Sequence, residues 1–201
     1  TVFFQIPDAT RILKDCAFED IYYEHCSYFT PGSLARLFRR CGFEVIDLAT
    51  EYGDQYLTIE ARPSESETGQ MAPLPEENDL AIVKKYVEEF PEKFAQKRAL
   101  WERRLDEYCR EGKKVVLWGS GSKGVSFLTS LKVPDELEYV VDINPYRQGY
   151  YMSGTGQAIV APEFLGEYRP DVVVVMNEIY CEEIGNTLRG LGLEPEIVAL
   201  T

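Results

Sequence analysis

A short apolar run that leads into three closely spaced glycines constrains the fold of this chain more than any other feature. The run is KVVLW, residues 114–118, and the next six residues, 119–124, read G-S-G-S-K-G. A second apolar run, LEYVVD, ends at Asp142. This is the spacing of a dinucleotide-binding turn, in which glycines let a strand enter a helix, backbone N–H groups approach a pyrophosphate, and the acidic residue binds ribose hydroxyls.

The glycine turn makes several residues candidates for ligand binding. Lys123 favours an anion, because a cation beside a helix N-terminus strengthens phosphate binding. The same small residues also suit any sharp strand-to-helix turn with nothing bound, and that interpretation stays open. The candidate substrate-binding residues of this turn and the following strand are Gly119, Gly121, Ser122, Lys123, Gly124 and Asp142.

Strand and helix patterns alternate through residues 112–201. After the helix predicted at 122–131 come the strand LEYVVD, a short helix at 162–167, the strand DVVVVM, a helix at 178–190 and the strand EIVAL. Apolar runs of this kind indicate strands buried on both faces, which helices join into a parallel sheet with right-handed crossovers. The pattern therefore predicts a Rossmann-like α/β domain over 112–201.

A loop rich in tyrosine and glycine, residues 142–156, follows the second predicted strand. It starts at the carboxyl end of that strand, where ligands bind in open α/β sheets. Contact with a ligand and a plain connecting loop are both compatible with the pattern. For ligand contact, Arg147 and Gly154 are the candidates.

The first region, 1–62, combines strands with one clear helix. Thr30 suits the N-cap of that helix, Pro31 its first position and Gly42 its end. Two strand-like runs, FEVIDLATEY and QYLTIEAR, then flank a Gly-Asp pair, which is typical of a hairpin. A helix and a hairpin are therefore predicted to close this region.

Residues 63–78 are rich in Pro, Ser and Glu and contain no aromatic residue, which predicts a linker. Helical spacing of apolar residues resumes in 79–111, with a kink or break expected at Pro91. Charged residues in this stretch are typical of a solvated helix face. We interpret 79–111 as a helical connector that packs on its neighbours.

Charge and cysteine usage limit the classes of function. A net charge of −13 repels phosphate backbones and anionic lipid, which argues against nucleic acid and membrane partners. The five cysteines are scattered and never spaced as C-x-x-C, so the sequence encodes neither a metal site nor a disulfide framework. No basic segment followed by an apolar one opens the given sequence, and no apolar run reaches the length of a membrane span, so we expect a cytoplasmic protein. The strand-like start without an initiator methionine leads us to expect part of a longer chain.

The single histidine, His25, stands in the aromatic run IYYEHCSYF, residues 21–29. An imidazole titrates near neutral pH and is therefore suited to accept a proton. The position of Glu24 next to His25 suits it to raise the basicity of the imidazole or to orient it. Tyr22 or Tyr28 is suited to donate a hydrogen bond to an oxyanion. Taken alone, a lone histidine among aromatics is more often structural than catalytic.

Two stretches together resemble a known family. FEDIYYEHCSYFT, followed by SLARLFRRCGFEV, is similar to the distal half of the S-adenosylmethionine-dependent sugar C-methyltransferases. VVLWGSGSKG, with YVVDINPYRQG, resembles the Rossmann-like C-terminal domain of the same family. Those enzymes add methyl groups to nucleotide-linked deoxysugars, so the resemblance implies a methyltransferase with a nucleotide-sugar substrate.

The resemblance also implies roles for individual residues. The Tyr-x-Glu-His segment carries the active site of the family, which corresponds here to Tyr22, Glu24 and His25. It implies that His25 draws a proton from the carbon next to a 4-keto group. The implied cofactor is S-adenosylmethionine, whose binding loop we expect upstream of residue 1, because region 1–62 resembles only the distal part of a class I methyltransferase domain.

Some positions depart from the family pattern. Arg147 stands where the family usually has lysine, and Ser153 where it usually has proline, which leaves the identity of the sugar open. Two other functions stay open as well. One is a non-catalytic module that binds a nucleotide or nucleotide sugar, and the other is an NAD-dependent oxidoreductase.

Overall fold

Residues 1–64 and 72–200 are described by the computed structural model, and the chain divides into two units, Thr1–Phe94 and Ala95–Thr201. In the first unit, β3 lies between β1 and β2 and runs antiparallel to both. The described elements that start in this unit are β1 (Val2–Pro7), α1 (Ala9–Asp15), α2 (Pro31–Arg40), β2 (Phe43–Glu51), β3 (Tyr56–Pro63) and α3 (Leu80–Arg110), with 3-10 turns at Phe18–Asp20 and Pro75–Glu77.

The predicted helix and hairpin of the first unit are confirmed. Thr30 caps α2, because its side-chain oxygen accepts a hydrogen bond of 3.1 Å from the backbone N–H of Ser33. Gly42 follows α2 with a φ of +81°, a left-handed conformation that glycine adopts without strain. Leu34 of α2 packs with Leu57 and Ile59 of β3 in the buried core of this unit.

Pro91 does not break the connector, because α3 runs from Leu80 to Arg110 with Pro91 inside it. The carbonyl that loses its hydrogen bond to a proline lies four residues earlier, at Val87, which is 51% exposed. The lost hydrogen bond therefore falls at an exposed residue of the helix. Although α3 is 31 residues long, no helix of the described residues has the apolar length needed to cross a membrane.

The residues just before α3 are fixed to α2 by charged hydrogen bonds. Arg39 binds the buried carboxylate of Glu77 through Nε and Nη2, at 2.9 and 2.7 Å. The Arg39 hydrogen bonds lower the pKa of Glu77 from its ordinary value. Asp79 accepts hydrogen bonds from Thr30 at 2.5 Å and from Arg36 at 3.0 Å. The end of the predicted linker is therefore ordered, and residues 65–71 of that prediction lie outside the described residues.

The second unit is a Rossmann-like α/β fold with a five-stranded parallel sheet in the order β6-β5-β4-β7-β8. Its described elements after α3 are β4 (Val115–Trp118), α4 (Ser122–Ser130), β5 (Tyr139–Val141), β6 (Ala158–Val160), α5 (Leu165–Tyr168), β7 (Val172–Val175), α6 (Cys181–Gly190) and β8 (Glu196–Ala199), with 3-10 turns at Pro162–Phe164 and Glu178–Tyr180. All residues of β4 and β7 are buried, as expected for central strands that helices cover on both faces.

Two details of this sheet differ from the sequence prediction. The three-residue strand β6, which follows the long loop after β5, was not predicted. The helices predicted at 162–167 and 178–190 each start as a 3-10 turn, Pro162–Phe164 and Glu178–Tyr180, before α5 and α6 begin. The order of strands places β5 and β7 on opposite sides of β4, so the chain changes direction across the sheet at β4. Ligands of open α/β sheets bind at the carboxyl ends of the strands at such a point.

Candidate functional site

An open cleft of about 470 Å³ lies at the carboxyl ends of β4, β5 and β7 in the second unit. The glycine turn after β4 forms one wall, the start of the loop after β5 a second, and the segment after β7 a third. Residues of all three walls line it, among them Gly121, Lys123, Asp142, Arg147 and Met176. The cleft therefore occupies the position that the sheet topology predicts for a ligand site.

The glycine turn has the close backbone approach that its spacing predicts. Gly119 has a φ of +116°, which residues with side chains rarely adopt. A Cβ added to Gly124 would lie 2.3 Å from the carbonyl oxygen of Gly119, so only glycine fits there. Gly121 is the N-cap of α4, and Ser122 and Lys123 form the first turn of this helix and line the cleft. Backbone N–H groups of a first helical turn have no partner within their helix and suit an anion.

Asp142 is buried and its carboxylate is engaged by the protein itself. Its Oδ2 accepts hydrogen bonds from the backbone N–H of Ser120 at 3.0 Å, from the Ser120 hydroxyl, and from Arg147 Nη1 at 3.3 Å. Its Oδ1 accepts a hydrogen bond of 2.8 Å from the backbone N–H of Asn144. The spacing predicts Asp142 as an acceptor for ribose hydroxyls, and in this structure four donors of the protein itself engage its carboxylate. Asp142 thereby ties the glycine turn to the loop that follows β5.

The surroundings of Asp142 favour its ionised form. Burial alone would raise the pKa of this carboxyl group, but the hydrogen bonds from Ser120 and Asn144, together with the charge of Arg147, outweigh burial. The pKa of Asp142 is therefore lower than its ordinary value. A carboxylate that stays charged holds its donors more strongly than a neutral group does.

Arg147 and Lys123 bring positive charge to the cleft. Arg147 Nη1 would lie 3.3 Å from a Cβ added to Gly121, so the guanidinium group lies close to the N-cap of α4. The Arg147 side chain is half-exposed and keeps donors available for a ligand. A helix N-terminus with an arginine and a lysine beside it is suited to phosphate oxygens.

Gly154 does not line this cleft. It has a φ of +85° in the turn after Met152, and a Cβ added to it would lie 3.2 Å from Cγ2 of Thr129 in α4. The structure therefore brings together the other predicted residues of this unit but places Gly154 where a turn packs against the side of α4.

The third wall of the cleft was missed by the sequence analysis. It consists of Met176, Asn177 and Tyr180, which follow β7, together with Glu183 and Thr187 of α6. Asn177 caps the turn Glu178–Tyr180 by accepting a hydrogen bond of 3.4 Å from the N–H of Ile179. The sequence did contain a signal for this wall, since its residues follow an apolar strand, as Gly119 does. However, only the strand order shows that β7 lies next to β4 and so brings these residues to the glycine turn.

We expect Asp142→Asn to destabilise the second unit by about 2 kcal/mol at pH 7, because hydrogen bonds to a charged group are lost. The lowered pKa means that stability from Asp142 is fully present above the ordinary Asp pKa of about 3.9 and is lost as pH falls through the folded-state pKa. The difference in free energy of unfolding between wild type and variant should therefore become smaller from pH 7 to pH 3. Urea unfolding, followed by tryptophan fluorescence, measures this difference, because both tryptophans, Trp101 and Trp118, are buried in this unit.

Asp135→Asn is the control for this prediction, since Asp135 is an exposed carboxyl group of the same unit. It should leave the free energy of unfolding nearly unchanged. If the free energies of unfolding of wild type and Asp142→Asn differed equally at pH 7 and pH 3, the ionised carboxylate would not be the source of the stability.

The second predicted site, in the first unit, is a tight turn that contains Tyr22, Glu24 and His25. The backbone N–H of His25 donates a hydrogen bond of 3.0 Å to the carbonyl of Tyr22. The His25 ring is half-buried and meets the ring of Tyr28 edge-on, with centroids 5.8 Å apart. Glu24 is exposed, and in the described part of the chain no hydrogen bond or ion pair joins it to His25. The turn thus groups Tyr22 with His25 but does not pair Glu24 with the imidazole.

The chain is similar to known C-methyltransferases. The model of the C-methyltransferase C-terminal domain family matches residues 56–192, which include the glycine turn and all three walls of the cleft. The chain is also 27% identical over 194 residues to the C-methyltransferase NovU of Streptomyces niveus. That similarity covers 90% of this chain and 45% of NovU, so the chain spans about half the length of this relative. The chain belongs to the C-methyltransferase C-terminal domain family.

Proposed function

We propose that this protein is an S-adenosylmethionine-dependent C-methyltransferase that acts on a 4-keto deoxysugar linked to a nucleotide. In this proposal His25 is the general base, and the cleft of the second unit binds the diphosphate of the nucleotide sugar. The single observation that carries the proposal is the cleft, because its glycine turn, helix N-terminus, Lys123 and Arg147 match a diphosphate. The family to which the chain belongs supports methyl transfer to carbon.

The chemistry requires a base beside a carbonyl compound. A C–H next to a keto group is acidic because the electron pair left behind forms an enolate. His25 would take this proton on its imidazole, and a hydroxyl of the same turn, such as that of Tyr22, would donate a hydrogen bond to the enolate oxygen. When bound, S-adenosylmethionine would supply the methyl group: its methyl–sulfur bond would break as the new carbon–carbon bond forms, and S-adenosylhomocysteine would leave as the thioether.

We assign no residue of this chain to the binding of S-adenosylmethionine. The described residues contain one strand, glycine turn and helix of the type that binds a nucleoside, at β4 and α4. There the acidic residue after the next strand, Asp142, is already engaged by Ser120 and Arg147. This turn therefore fits phosphate better than the ribose of a nucleoside.

We expect Lys123→Ala and Arg147→Ala each to weaken binding of dTDP by about 10-fold, because each removes a charge-assisted hydrogen bond to a phosphate oxygen. Isothermal titration calorimetry on the full chain measures this affinity. Lys132→Ala is the matched control, since Lys132 is exposed and does not line the cleft. Equal weakening by all three substitutions would mean that net charge, and not the cleft, controls binding.

Titration of the chain with dTDP, a dTDP-linked sugar and NAD tests the proposal against its alternatives. We expect the two dTDP compounds to bind and NAD to bind at least about 10-fold more weakly, because Asp142 offers little to an adenosine ribose. Tight binding of NAD without binding of dTDP compounds would favour the oxidoreductase and contradict our proposal. Binding of dTDP sugars by a full-length protein that transfers no methyl group would favour the binding module.

A further inference from the structure

The orientation of the only histidine is not fixed in the usual way. A histidine that acts as a base is commonly held by a hydrogen bond from its other ring nitrogen to a carboxylate or a carbonyl. In this protein Nδ1 of His25 is buried and, among the described residues, meets no hydrogen-bond partner. The sequence offers Glu24 for this task, but Glu24 is exposed and does not pair with the ring. The contact that the structure gives the imidazole is instead the ring of Tyr28.

The hydroxyl group of Tyr28 closes the turn in which His25 lies. It accepts a hydrogen bond of 2.9 Å from the backbone N–H of Tyr22 and donates one of 3.2 Å to the Tyr22 carbonyl. That carbonyl also accepts the hydrogen bond from the backbone N–H of His25. One phenol thus binds both polar backbone groups of Tyr22 and, through the shared carbonyl, supports the backbone of His25.

The ring of Tyr28 completes this arrangement. It contacts the His25 ring edge-on, at an interplanar angle of 80°, a geometry that aromatic rings prefer. The ends of the segment are anchored, since Phe18 is buried on one side and the Phe29 carbonyl accepts a hydrogen bond of 3.0 Å from the Ala9 N–H on the other. Between these two ends, the hydroxyl of Tyr28 holds the backbone of Tyr22 through its two hydrogen bonds.

We propose that Tyr28 is a positioning residue, whose hydroxyl closes the Tyr22–His25 turn and whose ring holds the imidazole of His25 in the orientation needed for proton abstraction. The catalytic half of this inference rests on the proposed function of His25. The structural half does not, because the contacts between Tyr28, Tyr22 and His25 exist whatever reaction the protein performs.

Nuclear magnetic resonance tests the inference directly, because a single histidine gives imidazole signals that need no assignment among several. In the wild-type chain we expect a nuclear Overhauser effect between the ring protons of His25 and those of Tyr28. In Tyr28→Phe, which keeps the ring but removes the hydroxyl, we expect this effect to disappear and the His25 signals to shift. In the full-length protein the same variant should lower kcat by about 10-fold with KM nearly unchanged.

Tyr23→Phe is the matched control. Tyr23 belongs to the same turn and is 83% exposed, and its ring packs on Tyr22. We expect this variant to leave the His25 signals at their wild-type positions. Signals that move equally in both variants, or that stay in place in Tyr28→Phe, would overturn the inference.

The positioning role of Tyr28 and the proposed function of His25 would be contradicted by different results. Absence of the Overhauser effect in the wild-type chain would overturn the positioning role even if Tyr28→Phe did not fold. A full-length protein that stays fully active with His25→Gln, while Tyr28→Phe still moves the His25 signals, would remove the general base and leave the structural role of Tyr28 standing.

Discussion

Replacing His25 by glutamine is expected to lower the turnover of the proposed methyl transfer by ~100-fold or more, because a general base contributes roughly that much to a proton abstraction. Glutamine has a similar size and keeps hydrogen-bonding groups, but its amide cannot take a proton near neutral pH. The measurement is methyl transfer to a 4-keto nucleotide sugar by the full-length protein. Affinity for S-adenosylmethionine and for dTDP should be nearly unchanged, so the loss should appear in kcat.

Cys26→Ser is a suitable control for this substitution. Cys26 is the next residue along the chain and is exposed, so the change tests whether any substitution in the turn disturbs the site. We expect it to keep turnover close to that of the wild type. Unchanged turnover in His25→Gln would remove the assignment of His25 as the base, whatever the second unit binds.

The fold of the second unit was largely predictable, because its signals are local in the sequence. The run KVVLW forms a strand that is buried on both faces. The glycines after it allow the tight turn by which the chain enters α4. The same holds for the cap of α2 at Thr30 and for the hairpin of β2 and β3. In each case the residues that determine the conformation lie within a few positions of one another.

What could not be predicted depends on contacts between distant residues. The strand order places β7 beside β4 and so brings Met176 and Tyr180 to the glycine turn, more than 50 positions away in the chain. The same is true of Glu77, which the composition of 63–78 assigns to a linker although Arg39 holds its buried carboxylate. Composition reports how much apolar surface a segment can bury, but not whether a folded neighbour offers it a charged partner.

The two candidate sites show the same limit. Spacing alone indicates Asp142 as a site residue, but only the structure shows that Ser120 and Arg147 donate hydrogen bonds to its carboxylate. Likewise, the sequence around His25 suggests Glu24 as the residue that orients the imidazole, whereas in the structure the ring of Tyr28 contacts it. A sequence motif therefore indicates the location of a site, and the hydrogen bonds and ring contacts show how its residues are held.

The second large effect is expected from Gly124→Ala. The added Cβ would lie 2.3 Å from the backbone carbonyl oxygen of Gly119, and a backbone atom cannot move aside as a flexible side chain can. The first turn of α4 must therefore shift away from β4, which should destabilise the second unit by about 1–3 kcal/mol. Because the N–H groups of this turn would be displaced, dTDP affinity should fall by at least about 10-fold.

Gly166→Ala in α5 provides the matched control for this last prediction. No atom lies within 4 Å of the Cβ that this change adds, and Gly166 does not have a positive φ. Its stability should stay within about 0.5 kcal/mol of the wild type, and its affinity for dTDP should not change. Tryptophan fluorescence during urea unfolding gives the first quantity and calorimetry the second. A folded Gly124→Ala chain that binds dTDP as tightly as the wild type would show that the glycine turn does not hold the diphosphate, and the cleft would lose the role on which the proposed function depends.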